Sequence, residues 1–284
     1  MQIKWLQTFV VTARCENFRQ ASEQLFLTQP AVTKHIQRLE EVIHTTLFHR
    51  TSNRVTLTAA GKRFYTFAND LLAEYEAGME AFESWKQGYE QKLVIAVAPQ
   101  IAASLLPTWL AQFMAENPTI EVITNIVSSY DVGQEVSSGR ADLGLTRILP
   151  IQPSIEALHI HEEPMLLTSK KRQGDWDEEG VMQTDRIMTH NHPHCSDAFL
   201  QQLKHAYPLV RTMPVNQIEV TKRFIEAGLG SAYLPYSMIQ EMNEVVTIPA
   251  QAISPPTSPT YLLTKVRTVE VEKFIQFLMD SSLR

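Results

Sequence analysis

Cysteine is nearly absent from this chain of 284 residues: there are two, Cys15 and Cys195. They stand far apart and share no metal-like spacing, which argues against a disulfide framework and fits a reducing compartment. No low-complexity tract and no repeat of fixed period is found, so neither a disordered polymer nor a solenoid is expected. Long apolar runs are missing too. The opening stretch MQIKWLQTFVVTARCENF carries Arg14 and Glu16 and has no extended apolar core. It is therefore not read as a signal peptide, and a cytoplasmic protein is expected. Residues 93–115 contain no charge, but Pro99, Gln100, Pro107 and Gln112 interrupt them. That reads as strand, loop and helix rather than a membrane span. Nucleophile motifs, phosphate-binding glycine loops and paired-carboxylate patterns are also lacking, so catalysis and a cofactor are not expected.

Positive charge is in deficit overall, with a net of −6, which taken alone argues against nucleic acid. Its distribution says otherwise. Residues 1–65 hold nine Lys/Arg against four Asp/Glu, a net of +5. Residues 66–92 carry −4 and the remainder −7. A basic head on an acidic body is the asymmetry expected where one domain touches phosphates and the rest does not.

That basic head contains the most informative stretch, NFRQASEQLFLTQPAVTKHIQRL at 17–39. Asn17 is a good N-cap with Gln20 three residues on, and Phe18, Ala21 and Leu25 make one apolar face of a short helix. Phe26 and Leu27 close a turn, Thr28 caps a second helix, and Pro30 is tolerated in its first turn. In that helix Val32, Ile36 and Leu39 point inward. Gln29, Pro30, Thr33, Lys34 and Gln37 turn outward. An outer face this uncharged, with hydrogen-bonding side chains and one lysine, suits base edges and phosphates. The plain alternative is a helical hairpin whose polar side meets water. Upstream, Leu6, Phe9, Val10 and Ala13 give residues 3–13 a helical stripe, completing the three helices of a minimal helix-turn-helix body. Downstream, HTTLFHRTSNRVTL at 44–57 alternates around Ser52-Asn53 and reads as a β-wing carrying Arg50 and Arg54.

From Thr58 the period changes. Phe64, Ala68, Leu71, Tyr75, Gly78, Phe82 and Trp85 are spaced 4, 3, 4, 3, 4, 3, a heptad seam flanked by acids. One helix cannot bury such a seam alone, so pairing is expected; packing of a single amphipathic helix on its own domain is the alternative. Beyond Gly88 strands are expected at 93–98, 120–127, 142–146, 164–169, 186–189, 231–234 and 261–264. Helices are expected at 102–116, 131–139, 196–205, 216–227 and 270–280. Alternation of this kind implies α/β structure with parallel sheets and ligand loops beyond the strand ends.

FLTQPAVTKHIQRLE (26–40), LFHRTSNRVTLTAAG (47–61), LLPTWLAQFMAENPTIEV (105–122), SGRADLGLT (138–146) and EAGLGSAYLP (226–235), in this order, resemble a LysR-type transcriptional regulator over essentially the whole chain. Ser22 departs from the family, which usually shows a second alanine there. THNHPH (189–194) followed by VTKRFIEAGLG (220–230) resembles, more narrowly, the Bacillus-type regulators of a citrate synthase gene. The resemblance implies a winged helix-turn-helix at 1–58, a dimerising linker helix at 59–88 and a two-lobe effector domain at 89–284, similar to periplasmic solute-binding proteins. Its lobes are expected at 89–163 with 266–284, and at 164–265, with crossings near 163–164 and 264–266. Implied partners are double-stranded promoter DNA, a small-molecule effector, further copies of the chain as homodimer or homotetramer, and RNA polymerase. No membrane is implied. A solute-binding or enzymatic α/β protein whose first helices merely mediate assembly is the competing reading.

Wheel and resemblance agree on Gln29, Thr33 and Lys34 for DNA, with Arg50 and Arg54 on the wing; Arg38 lies more laterally. For the effector, the resemblance points to the loops holding Gln100, Ser128 and Ser129, Arg147, and Thr189 and His190. A guanidinium beside helix N-termini favours a carboxylate or other small anion, unless Arg147 is paired with an acid on a neighbouring loop. His190, His192, His194 and Cys195, with His159 and His161, invite a metal reading. Pro193 breaks their regularity and no carboxylate completes a site, so no metal is expected.

Overall fold

The computed structural model describes residues 1–50, 55–174, 176–195, 197–240 and 242–282. The chain divides between Gly88 and Tyr89 into two compact units. In the first, α1 (Ile3–Cys15), α2 (Phe18–Gln24) and α3 (Gln29–Ile43) are followed by the short antiparallel pair β1 (Phe48–Arg50) and β2 (Val55–Leu57), then by α4 (Ala59–Lys86). α2, α3 and α4 each start where the sequence supplies a cap. Asn17 Oδ1 accepts from the amides of Arg19 (2.8 Å) and Gln20 (3.2 Å), and Thr28 Oγ1 accepts from Ala31. Thr58 Oγ1 accepts from Gly61 at 2.9 Å. Leu6, Phe9, Val32, Ile36, Leu39 and Leu47 are wholly buried, and each such side chain contributes about 1.5–3 kcal/mol. Phe9 is edge-on to Phe64 at 5.3 Å, and its ring lies 5.4 Å from that of Phe48.

The α4 seam has two regimes. Phe64, Ala68, Leu71 and Leu72 pack into this core. Past them Tyr75, Met79, Phe82 and Trp85 are exposed, Trp85 to 64%. Half of the heptad stripe therefore serves the first unit's own core, and half lies exposed.

The second unit opens with β3 (Gln91–Val97), α5 (Pro99–Ala103), α6 (Leu105–Glu116), β4 (Ile120–Ile126), α7 (Val132–Ser137) and β5 (Leu143–Thr146). The single helix expected at 102–116 is broken: Ser104 (φ −123°, ψ −73°) ends α5 and restarts the chain as α6. Next come β6 (Glu156–Lys170), α8 (Glu178–Thr184), β7 (Arg186–Thr189), α9 (Asp197–Ala206), β8 (Arg211–Pro214), α10 (Ile218–Glu226) and β9 (Ala232–Pro235). The chain ends with α11 (Tyr236–Ile239), β10 (Val245–Ile248), β11 (Thr257–Thr264) and α12 (Val269–Ser282).

β3 pairs in parallel with β4 and β5, as alternation implied. β6 and β11 do not follow it: they are long antiparallel partners, Glu156 opposite Thr264 through Pro164 opposite Thr257. β6 is the spine of both lobes. Its first half joins β11 in the first lobe's sheet; its second half, Met165–Lys170, pairs with β9 and β10 in the second. β6 thus passes from one set of partners to the other at Pro164. The second expected crossing does not fall at 264–266. Tyr261–Thr264 pairs with β5, so all of β11 belongs to the first lobe and the chain crosses before Thr257. Afterwards α12 returns Val271, Phe274, Ile275 and Leu278 to the first lobe's core, Phe274 edge-on to Phe113 at 4.9 Å.

A candidate nucleic-acid interface and an interlobe cavity

In the first unit, α3 is held from behind and open in front. Val32, Ile36 and Leu39 are fully buried, while Gln29, Pro30, Lys34, Gln37 and Arg38 are exposed and Thr33 is half-buried. The turn into α3 is tight. Phe26 adopts φ +53°, the Leu27 amide donates to Ser22 O at 2.9 Å, and the Phe26 ring is left 96% exposed. Ser22 fits because its hydroxyl donates to Arg19 O at 2.7 Å. Thr8 Oγ1 lies 2.9 Å from His35 Nδ1, tying α1 to α3. Arg38 is committed elsewhere: its guanidinium lies 6.0 Å from the centre of the Trp5 ring, consistent with its lateral place on the wheel.

Glu40 anchors the wing to the same helix. Its Oε1 accepts from the Leu47 (2.7 Å) and Phe48 (3.2 Å) amides, and Arg50 pairs with Val55 in the β1–β2 ladder. Of Arg50 the structure describes the backbone, and Arg54 lies outside the described residues. Gly61 closes the arrangement: a Cβ there would lie 2.1 Å from Leu47 O, so α4 passes the wing only without a side chain.

In the second unit a cavity of about 500 Å3 lies between the lobes. The first lobe supplies Pro99 and Gln100 at the start of α5 and Ser128, Ser129 and Tyr130 after β4. The second supplies the segment after β7 (His190–Pro193, Cys195 and Asp197) together with Asn216. Gln100 bridges the lobes, its Nε2 donating to Asn191 O at 3.1 Å. Four of the six expected effector residues therefore line one cavity: Gln100, Ser128, Ser129 and His190. Thr189 sits behind the wall, buried, 2.8 Å from His190 Nδ1. His190 itself has φ +66°, an uncommon conformation for a side-chain-bearing residue, and it turns the chain into the cavity wall.

Arg147 is elsewhere, and its expected role is corrected. It is wholly buried at the end of β5 and faces the crossing strands. NH2 donates to Glu163 Oε1 (3.0 Å), and NH1 donates to Thr260 Oγ1 (2.8 Å) and Ser258 O (3.3 Å). Burial draws the guanidinium below its usual range, opposed by the charge and hydrogen bond of Glu163. Glu163 in turn accepts from the Ser237 amide (2.6 Å) and hydroxyl (3.0 Å). The pairing with an acid is the alternative that the sequence left open, and it takes away the cation on which an anionic ligand was argued.

The histidines are similarly occupied. The His194 amide donates to His192 Nδ1 (3.1 Å), so the neutral ring carries its proton on Nε2 and donates to Ser258 Oγ (2.9 Å). Burial, then the charges of Arg147 and His194, holds His192 well below the ordinary imidazole pKa. His194 Nε2 bonds to Arg147 O at 2.6 Å. Burial also pushes the Cys195 thiol up to about 12, which leaves it unreactive. Among the described residues, no three His, Cys, Asp or Glu side chains are grouped to hold a metal ion. Asn191, Asn216 and Tyr130 were not anticipated from sequence, because amides and phenols on loops carry no spacing signature.

Known proteins share this arrangement. Residues 3–62 match the model of the bacterial regulatory helix-turn-helix protein, lysR family, and residues 86–282 match that of the LysR substrate binding domain. The chain is 36% identical to the HTH-type transcriptional regulator CitR of Bacillus subtilis (strain 168), with 98% of each chain covered. It is 35% identical to YxjO of the same organism, over 99% of this chain and 98% of that one. Both of these relatives are Bacillus HTH-type transcriptional regulators. In fold, the chain is similar to CbnR complexed with its target DNA (TM-score 0.68, 20% identity, covering 99% of this chain and 100% of that one). It is likewise similar to Vibrio fischeri DarR in complex with DNA (TM-score 0.64, 23% identity, 99% of each chain).

Proposed function

Because this chain belongs to the LysR family of DNA-binding transcriptional regulators, we propose that it grips promoter DNA through α3 and the wing, as an oligomer joined along α4, and that a small polar effector held between the lobes of residues 89–284 sets its activity. The family is one of regulators rather than enzymes. The observation that carries the DNA assignment is the face of α3. Val32, Ile36 and Leu39 fix the helix from behind, while Gln29 and Lys34 stand free at its exposed side. A glutamine there can pair bidentately with adenine, and a lysine can reach guanine or phosphate. Thr33 adds a hydroxyl, and Arg50 and Arg54 are assigned to backbone or minor-groove contact beside it. The exposed Tyr75, Met79, Phe82 and Trp85 supply the apolar stripe for a second copy. Gln100, Ser128, Ser129 and His190 are assigned to the effector. Footprinting of the full chain on the DNA flanking its own gene tests the assignment. Affinity should fall steeply with salt, and Lys34→Ala should weaken it and lower the salt slope by about one. Absence of a specific footprint at modest salt overturns it.

A further inference from the structure

The interlobe cavity carries a chemical signature on its walls. Three polar side chains lining it are more than nine-tenths buried: Gln100 (9% exposed), Ser129 (5%) and Asn191 (2%). Each leaves polar atoms without a hydrogen-bond partner among the described residues, namely Gln100 Oε1, Ser129 Oγ and both Asn191 Oδ1 and Nδ2. Buried polar atoms are nearly always paired, so a cluster of orphans around one cavity marks groups reserved for something that enters it. The orientation of Gln100 is fixed, because its Nε2 already donates to Asn191 O. Its Oε1 therefore requires a donor. Asn191 likewise presents one donor and one acceptor whichever way its amide is turned. A carboxylate with no N–H or O–H donor beside it has acceptors only and would set its charge against two buried carbonyl oxygens.

Charge on the wall points the same way. Arg147, the buried cation at the end of β5, is bound to Glu163 and is not among the residues that line the cavity. Asp197 brings a carboxylate to the lining, and Asp131 stands directly behind Ser128, whose hydroxyl donates to it. We propose that the cavity takes a small solute of zero net charge bearing N–H or O–H donors, such as a carboxamide, a polyol or a zwitterionic amino acid, and rejects di- and tricarboxylates. This rests on the reading of residues 89–284 as an effector domain and narrows the ligand class.

Thermal unfolding of the full chain, with matched probes at about 10 mM, tests it. The probes are succinate beside succinamide, malonate beside malonamide, citrate, glycerol, L-asparagine and L-serine. Uncharged or zwitterionic members are expected to raise the transition of residues 89–284 by about 3–6 °C, with the carboxylates silent. Gln100→Met should weaken the response about tenfold in apparent affinity. Ser129→Ala removes an orphan without breaking a side-chain bond, so it should weaken the response while leaving the unliganded transition unchanged. A larger shift from succinate, malonate or citrate than from the uncharged members overturns the proposal. So does the absence of any shift from the uncharged and zwitterionic members alike. Footprinting on the same sample separates the two readings: a footprint without this response sinks the ligand class alone, whereas loss of the footprint sinks the regulatory assignment.

Discussion

Removing the Glu163 carboxylate should cost the second unit several kcal/mol, about 3–5. Arg147 has no exposed side-chain surface, and its closest countercharge is Glu163 Oε1 at 3.0 Å. Deleting one member of a buried pair strands the other in a medium that solvates it poorly, at about 3–5 kcal/mol. Glu163→Ala also removes the acceptor for the Ser237 amide and hydroxyl, which places the expectation at the upper end of that range. For a unit of this size each kcal/mol moves the midpoint by about 2–4 °C, so a fall of roughly 10–20 °C is expected. Calorimetry of the full chain should resolve this as a shift of the transition belonging to residues 89–284, with that of residues 1–88 unmoved. Two comparisons guard the reasoning. Arg140 and Glu135 approach even closer, at 2.7 Å, but lie at the surface, so Glu135→Ala should leave the midpoint where it is. Replacing both buried partners, Arg147→Met with Glu163→Leu, should recover much of the loss, because no charge is then left stranded. A Glu163→Ala midpoint within 3 °C of the parent chain would refute the argument.

Stability should also depend on acid. Burial holds His192 neutral in the folded chain, while the unfolded chain takes up a proton near the ordinary value of 6.5. The unfolded state therefore binds the extra proton below that pH, so stability is full above pH 6.5 and falls beneath it, at no more than about 1.4 kcal/mol per pH unit per proton. His161 is shifted in the same direction, chiefly by burial, and adds to the slope. His192→Gln should flatten the slope measured by denaturant titration; an unchanged slope would exclude His192 as its source. Gly61→Ala forces a Cβ to within 2.1 Å of Leu47 O and should destabilise residues 1–88 by at least about 2 kcal/mol, read as an earlier first transition. Phe82→Asp, on the exposed half of the α4 seam, should shift the protein toward monomer in sedimentation without lowering either transition of the monomer.

The first unit was legible because its signals are local. Asn17, Thr28 and Thr58 announce helix starts by chemistry acting over three residues, and Val32, Ile36 and Leu39 announce the buried face by period. The second unit was legible where strands are continuously apolar, as in β3 and β5, and illegible where a strand is half-exposed. The first half of β6, EALHIHEE, mixes histidines and acids and gives no strand period until β11 is beside it. β8 and β10 are likewise half-exposed and carry no continuous apolar run, unlike the equally short β5 and β9. Arg147 shows the limit most plainly. Its position at a strand end was legible, but whether its side chain turned to the cavity or to Glu163, sixteen residues on, depended on a pairing between β6 and β11 that no local signal encodes.

That pairing also matches most of the buried polar atoms beside it, though Arg147 Nε has no partner among the described residues. At the crossing strands most polar groups are matched: Arg147 NH1 and NH2 with Ser258, Thr260 and Glu163, Glu163 with Ser237, and His192 with Ser258. A connected network in a low-dielectric interior is stiff, because losing any one bond leaves a buried charge or dipole unpaired. Gln100, Ser129 and Asn191, by contrast, hold unmatched atoms on cavity walls that belong to different lobes. His192 belongs to both sets: it lines the cavity and bonds Ser258 at the start of β11. A solute that pairs the orphans must therefore act on a wall whose back is fixed to the crossing strands. Its binding energy can bias the angle between the lobes only as far as the pairing improves in one arrangement over another.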